Sequence, residues 1–181
     1  LKDVRSFLSF IDEFFVDHAV VPTRVDSPML DLGQNGTGRL HVESLTVYPI
    51  KSCAGWRIPH GTPWEVRQEG LAWDREWCIV HQGTGAALSQ KRYPRMALIR
   101  PELDFKTGTL VIRQAGNSTE ACVPLSLDPS YFAAEGLRHG NTNVCGEVVK
   151  ARLYTSATVA AFLTAAVGVP CTLARFPSAT S

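Results

Sequence analysis

A mainly β fold, a small barrel with flanking helices, is what this sequence predicts, and three observations carry the prediction. Between residues 40 and 153, short apolar runs are divided by turns rich in Gly and Pro. On either side, residues 3–16 and 156–167 space their apolar residues as helices do. Many short strands with little helix between them leave a barrel or a sandwich as the way to bury their apolar faces.

In chain order, Asp3 is a plausible N-cap for a helix whose stripe is Val4, Phe7, Leu8, Ile11, Phe14 and Phe15. Residues 22–38, with Pro22, Pro28, Gly33, Gly36 and Gly38, have linker composition. A strand is expected over His41–Ile50, with Leu45 and Val47 on one face and Thr46 and Tyr48 on the other. Further strands are expected around Trp64, Val66 and Gln68, over Trp77–His81 and over Met96–Arg100. Leu103–Phe105 and Leu110–Ile112 flank Lys106-Thr-Gly-Thr, a hairpin signal. Cys122–Leu127 and Val148–Leu153 complete the set. Ser156 or Thr155 caps a helix striped with Val159, Phe162, Leu163, Ala166 and Val167, which Gly168 and Pro170 stop. Cys171–Phe176 reads as a strand whose partners lie outside the chain.

The composition is that of a soluble globular protein, and a net charge of +1 gives no nucleic-acid or anionic-membrane surface. No apolar run approaches the ~20 residues of a membrane helix. The start, LKDVRSFLSF, lacks the features of a signal peptide and reads as the edge of an excised fragment. Five scattered cysteines without a CxxC pair, and five histidines without ligand spacing, argue against a disulfide framework and a zinc or iron site; a cytoplasmic setting is the simplest. The sequons at Asn35 and Asn117 are read as unmodified.

Three polar-basic clusters interrupt the strand pattern: Lys51-Ser52, Asp74-Arg75 and Lys91-Arg92. Cations and hydroxyls at strand ends are what a sheet needs to hold a small anion at one rim. On residue chemistry alone, the simpler reading of Lys51-Ser52 is a solvated turn after Pro49, and that of Asp74-Arg75 a local ion pair. Asp74 can also serve to orient Arg75. Cys53 is the cysteine nearest a basic cluster, yet a structural role is preferred for it; Cys78 and Cys122 read as core thiols.

The stretches YPIKSC, GLAWDREW and SQKRYPRMALI resemble the N-terminal β-barrel of the MOSC family (molybdenum cofactor sulfurase C-terminal domain), and within it the eukaryotic sulfurases. The resemblance is dense from Leu40 to Pro101 and returns at VAAFLTAAVGVPCTLARF. It implies that Lys51, Ser52 and Arg75 bind the molybdenum cofactor (molybdopterin), with Lys91 or Arg92 adding a cation and Trp77 belonging to the core. No catalytic residue is assigned to this chain, whose share is binding and orientation.

The implied layout is a tail helix of a cysteine-desulfurase-like domain (1–20), a linker (21–39), the barrel (40–154) and the truncated start of the MOSC core (155–181). The parent would carry pyridoxal phosphate in a missing N-terminal domain and exchange an oxo for a sulfido ligand on the cofactor. It would thereby activate xanthine dehydrogenase and aldehyde oxidase. The rivals are a molybdenum reductase of the amidoxime-reducing type and a non-catalytic β-barrel interaction module. The first has a membrane or targeting segment before its barrel, where this chain has an amphipathic stretch over Asp3–Phe15.

Overall fold

The computed structural model describes residues 42–67, 70–126 and 137–176. The expected tail helix and linker lie outside the described residues. Within them the fold is mainly β: eleven strands and one α-helix. The strands are β1 (Thr46–Val47), β2 (Trp56–Arg57), β3 (Val66–Arg67), β4 (Gly70–Leu71), β5 (Trp77–His81), β6 (Ile99–Asp104), β7 (Thr109–Gln114), β8 (Glu120–Pro124), β9 (Leu137–Val144), β10 (Glu147–Tyr154) and β11 (Cys171–Arg175). Helix α1 is Ala157–Val167.

Two hairpins, β1-β2 and β3-β4, accompany a β6-β7-β8 meander and a four-stranded sheet of order β5-β11-β10-β9, all paired antiparallel. Among the described residues these sheets do not close into one hydrogen-bonded barrel. Isolated bridges add to them. Ala86 pairs in parallel with Asn143 of β9 and Ala87 antiparallel with Val80 of β5, so residues 86–87 touch both edge strands of the four-stranded sheet. Ile50 pairs in parallel with Trp77 of β5.

The expected hairpin around Lys106–Gly108 is present. Its β6 and β7 pair from Ile99↔Gln114 to Asp104↔Thr109. Asp104 Oδ1 accepts from the Lys106 amide at 2.9 Å, an Asx-type turn that explains the acidic residue there. Helix α1 also forms as expected. Ser156 Oγ accepts from Val159 N at 3.5 Å, Gly168 ends the helix at φ +94°, and Val159, Leu163, Ala166 and Val167 are buried. The Cys171 amide donates to Thr164 Oγ1 at 3.2 Å, which turns the chain straight into β11.

Four expectations change. β11 does not lack its partners, since it pairs with both β5 and β10 at the centre of the four-stranded sheet. Met96–Arg100 is not one strand. Pro94, with its preset φ, opens a 3-10 helix over Pro94–Leu98, and β6 starts at Ile99. In the first strand Val47 is buried but Leu45 is 39% exposed, because regular pairing there is only two residues long. The strand expected around Trp64, Val66 and Gln68 does form, as β3, with Val66 exposed and Gln68 outside the described residues. Cys122 is exposed on β8 and is no core thiol.

Trp77, Ile79 and Leu173 from the four-stranded sheet join Leu103, Leu110 and Ile112 of the meander and Val159 and Leu163 of α1 in one core cluster. Each aliphatic side chain so buried contributes roughly 1.5–3 kcal/mol. That core fixes the end of β1 and the start of β5, where two of the three polar clusters emerge.

Candidate functional site

The chain after β1 runs parallel to the chain entering β5. The Arg75 amide donates to Tyr48 O at 2.8 Å, the Trp77 amide to Pro49 O at 3.0 Å, and the Lys51 amide to Trp77 O at 2.8 Å. Asp74 Oδ1 accepts from the Tyr48 amide at 2.7 Å. Two of the three clusters therefore sit on directly hydrogen-bonded segments. Arg75 lies beside Tyr48 and Lys51 follows three residues on, roughly 10 Å of extended chain.

Both segments end in turns with strained backbone. Cys53 N donates to Ile50 O at 3.1 Å, closing a turn in which Ser52 has φ +63°. Asp74 N donates to Leu71 O at 3.2 Å, closing another with Trp73 at φ +69°, and Arg75 follows at φ +53°. Four non-glycine residues among those described have positive φ, and three of them lie at this pair of turns. Such conformations cost of order 1–3 kcal/mol each and cluster where function requires them.

Lys51 is 6% exposed and Ser52 is 9% exposed, so neither is the solvated turn residue of the simpler reading. Among the described residues the Lys51 side chain has no hydrogen-bond or ion-pair partner; its charge is felt by the Cys53 and Cys78 thiols. Burial pushes both thiols up, Cys78 to about 12, against the opposing pull of Lys51. Thiols held neutral in this way are poor nucleophiles. Arg75 is partly buried and pairs with Asp74 Oδ2, while the other carboxylate oxygen holds Tyr48, so Asp74 does orient Arg75.

Lys91 and Arg92 are exposed in the turn before the 3-10 helix. Arg92 lies 5.7 Å from the centroid of the Tyr93 ring. No hydrogen bond or ion pair joins Lys91 to Lys51, Ser52 or Arg75. Trp77 is fully buried and its Nε1 donates to Tyr154 Oη at 3.2 Å.

A second group of charges escaped the reading of the sequence. Arg175 is 2% exposed; its Nη2 donates to Glu76 Oε2 at 3.0 Å and its Nη1 to Leu125 O at 2.8 Å. Glu76 also accepts from Arg67 Nη1 at 2.9 Å. The Arg175 guanidinium lies 4.5 Å from the Trp77 ring centroid and 5.7 Å from that of Trp73. Trp73 stacks on Trp77 at 6.1 Å and meets Phe105 at 6.0 Å, and Phe105 in turn meets Trp56 and Trp64. An arginine inside an otherwise apolar run, Cys171–Arg175, was the available signal.

Comparison with known proteins follows the same lines. Residues 39–170 match the model of the MOSC N-terminal beta barrel domain. The chain is 49% identical to the molybdenum cofactor sulfurase of Chaetomium globosum, 50% to that of Botryotinia fuckeliana and 45% to that of Neurospora crassa, each over 98% of this chain. It spans 23%, 22% and 20% of the length of those relatives. A solution structure from Bordetella bronchiseptica is similar at a TM-score of 0.44 and 21% identity, over 62% of this chain and 85% of that one.

Proposed function

The chain belongs to the family of the MOSC N-terminal beta barrel domain, and from that premise we propose that it binds and orients the molybdenum cofactor within a molybdenum cofactor sulfurase. The observation that carries the reading is the buried Lys51, unpartnered among the described residues, at a strained turn hydrogen-bonded to the segment of Arg75. An ammonium, a hydroxyl and an oriented guanidinium are the donor set a phosphate-bearing pterin requires.

In this reading Lys51 supplies a point charge to the phosphate, Ser52 a hydrogen bond, and Arg75 a planar fork that Asp74 holds in place. Lys91 is a weaker candidate that extends the positive rim. The cofactor itself supplies the metal on which sulfido replaces oxo. The neutral thiols of Cys53 and Cys78 pack the floor beneath Lys51 and take no part in sulfur transfer. The names of the relatives favour the sulfurase over the amidoxime-type reductase, and they support a parent that is a sulfurtransferase. Pyridoxal phosphate in a preceding domain, activation of xanthine dehydrogenase and aldehyde oxidase, a cytoplasmic setting and a division near residue 154 belong to the same proposal.

The test is cofactor retention by Lys51→Ala and Arg75→Ala, read beside their melting temperatures. Each variant is expected to bind more weakly by about 1.5–3 kcal/mol while remaining folded. Unchanged retention removes the residue from the site.

A further inference from the structure

Two aromatic side chains among the described residues are exposed, Tyr48 at 46% and Phe105 at 49%. Phe105 meets the rings of Trp56, Trp64 and Trp73. Tyr48 meets no other ring among the described residues, yet it is held in place. Its amide donates to Asp74 Oδ1 at 2.7 Å, and its carbonyl accepts from the Arg75 amide at 2.8 Å. Its ring lies across Gly55, where a Cβ would meet Tyr48 Cε1 at 3.0 Å and Thr46 Cγ2 at 2.6 Å.

Covering a strand glycine with an aromatic ring stabilises the edge of a sheet. That role accounts for the contact with Gly55 and leaves nearly half of the Tyr48 surface uncovered. The uncovered part stands beside the cations. Asp74 Oδ2 pairs with Arg75 Nη1, so the Tyr48 backbone and the Arg75 fork are one carboxylate apart. Lys51 follows three residues after Tyr48, roughly 10 Å of extended chain. A ring, a planar fork and a buried ammonium therefore lie along one hydrogen-bonded edge.

We infer, on the premise that Lys51 and Arg75 hold the cofactor, that Tyr48 is a ligand contact of the same site. Its ring carries the planar heteroaromatic part of the bound compound and selects a pterin phosphate over a phosphate without a ring. The face of an aromatic side chain stacks with a planar heterocycle, and an adjoining guanidinium can bond that heterocycle's edge. An aliphatic residue of similar size would cover Gly55 and provide no such preference.

The probes are hydroxymethylpterin phosphate and inorganic phosphate, each titrated into the full chain by calorimetry at matched ionic strength. Tyr48→Phe is expected to bind the pterin phosphate within about twofold of the native chain, and Tyr48→Leu roughly tenfold to a hundredfold more weakly. Affinity for inorganic phosphate is expected to be the same in all three. Lys51→Ala is expected to lose affinity for both probes. If Tyr48→Leu melts early, Tyr48→Val, β-branched and suited to extended backbone, makes the same comparison. Equal affinity for the pterin phosphate in the aliphatic variant and the native chain, with Lys51→Ala still weaker, overturns the role of Tyr48 and leaves the Lys51 site standing. Equal loss of both probes in the aliphatic variant makes the ring a cover for Gly55 alone and overturns it as well. No binding of pterin phosphate by the native chain, or none that depends on Lys51, overturns the cofactor site and the role of Tyr48 with it.

Discussion

Arg175 and Lys51 are both buried cations, and the fold treats them in opposite ways. Arg175 is enclosed by its own protein: Glu76, the Leu125 carbonyl and the faces of Trp77 and Trp73. Among the described residues its Nε is without a hydrogen-bond partner, and the adjoining Trp77 face offsets part of that loss. Lys51 is also buried and has no partner among the described residues. A buried charge left uncompensated costs several kcal/mol, so it persists where something outside the chain completes it. The first cation is structural, and for the second we propose a ligand.

The widest separation between the two should appear in stability. Arg175→Leu removes one partner of a buried network and leaves Glu76 with Arg67 alone. Urea unfolding should show a loss of about 3–5 kcal/mol, the range for breaking a buried pair from one side. A loss below about 1 kcal/mol would mean that the aromatic faces, not the charges, hold this corner, and the contrast with Lys51 would collapse.

The thiols beneath Lys51 give the next effect, through pH. Burial raises Cys53 and Cys78 above their ordinary value of 9.0, so above pH 9 the unfolded chain releases protons that the folded chain keeps. The stability they contribute is complete below pH 9 and is lost as pH rises toward the folded values, near 12 for Cys78. The unfolded thiol is half ionised at pH 9, so the slope rises from half toward the full ~1.4 kcal/mol per pH unit, and the pair should cost about 2 kcal/mol between pH 9 and 10. Tyr154, also pushed up by burial, acts in the same direction. The difference in slope between the native chain and Cys53→Ala/Cys78→Ala therefore isolates the thiols. Equal slopes would place them in a far more hydrated setting than the fold describes.

How much of this was legible beforehand depended on whether the signal was local. Helix α1, with Ser156, its stripe and Gly168, was legible residue by residue, as was the Lys106–Gly108 hairpin, because caps and turns act within a few residues. Strand β9, Leu-Arg-His-Gly-Asn-Thr-Asn-Val, was not, since its exposed face breaks the apolar alternation and only pairing with β10 holds it extended. The polar clusters could be nominated from the sequence. That Lys51 is buried and Arg75 held by Asp74 depends on the ladder between residues 48–51 and 75–77, a long-range contact that no local pattern encodes. Arg175 was invisible as a partner of Glu76 for the same reason, the two being joined only by the β5-β11 pairing.

Lys51→Met probes the other half of the comparison. It keeps the stem and removes the charge. If Lys51 awaits a ligand, the free chain should be as stable as before or gain up to about 1 kcal/mol, since an uncompensated buried charge has gone. Cofactor retention should fall at the same time. A clear loss of stability would instead assign Lys51 to the fold, with Arg175.

The smallest effect, and the finest test, is at Ser52. Its φ of +63° suits glycine, and an L-residue there costs about 1–2 kcal/mol. Ser52→Gly releases that strain but adds freedom to the unfolded chain, worth about 0.4–1 kcal/mol in the opposite sense. The net expectation is a gain of about 0.5 kcal/mol, read as a small rise in melting temperature. If the hydroxyl binds the cofactor phosphate, the more stable chain should retain less cofactor. Stability and binding would then move apart at one residue, as expected where strain is kept for a ligand. Were both to rise together, the serine would have no role that glycine does not fill, and the Lys51 turn would lose its second donor.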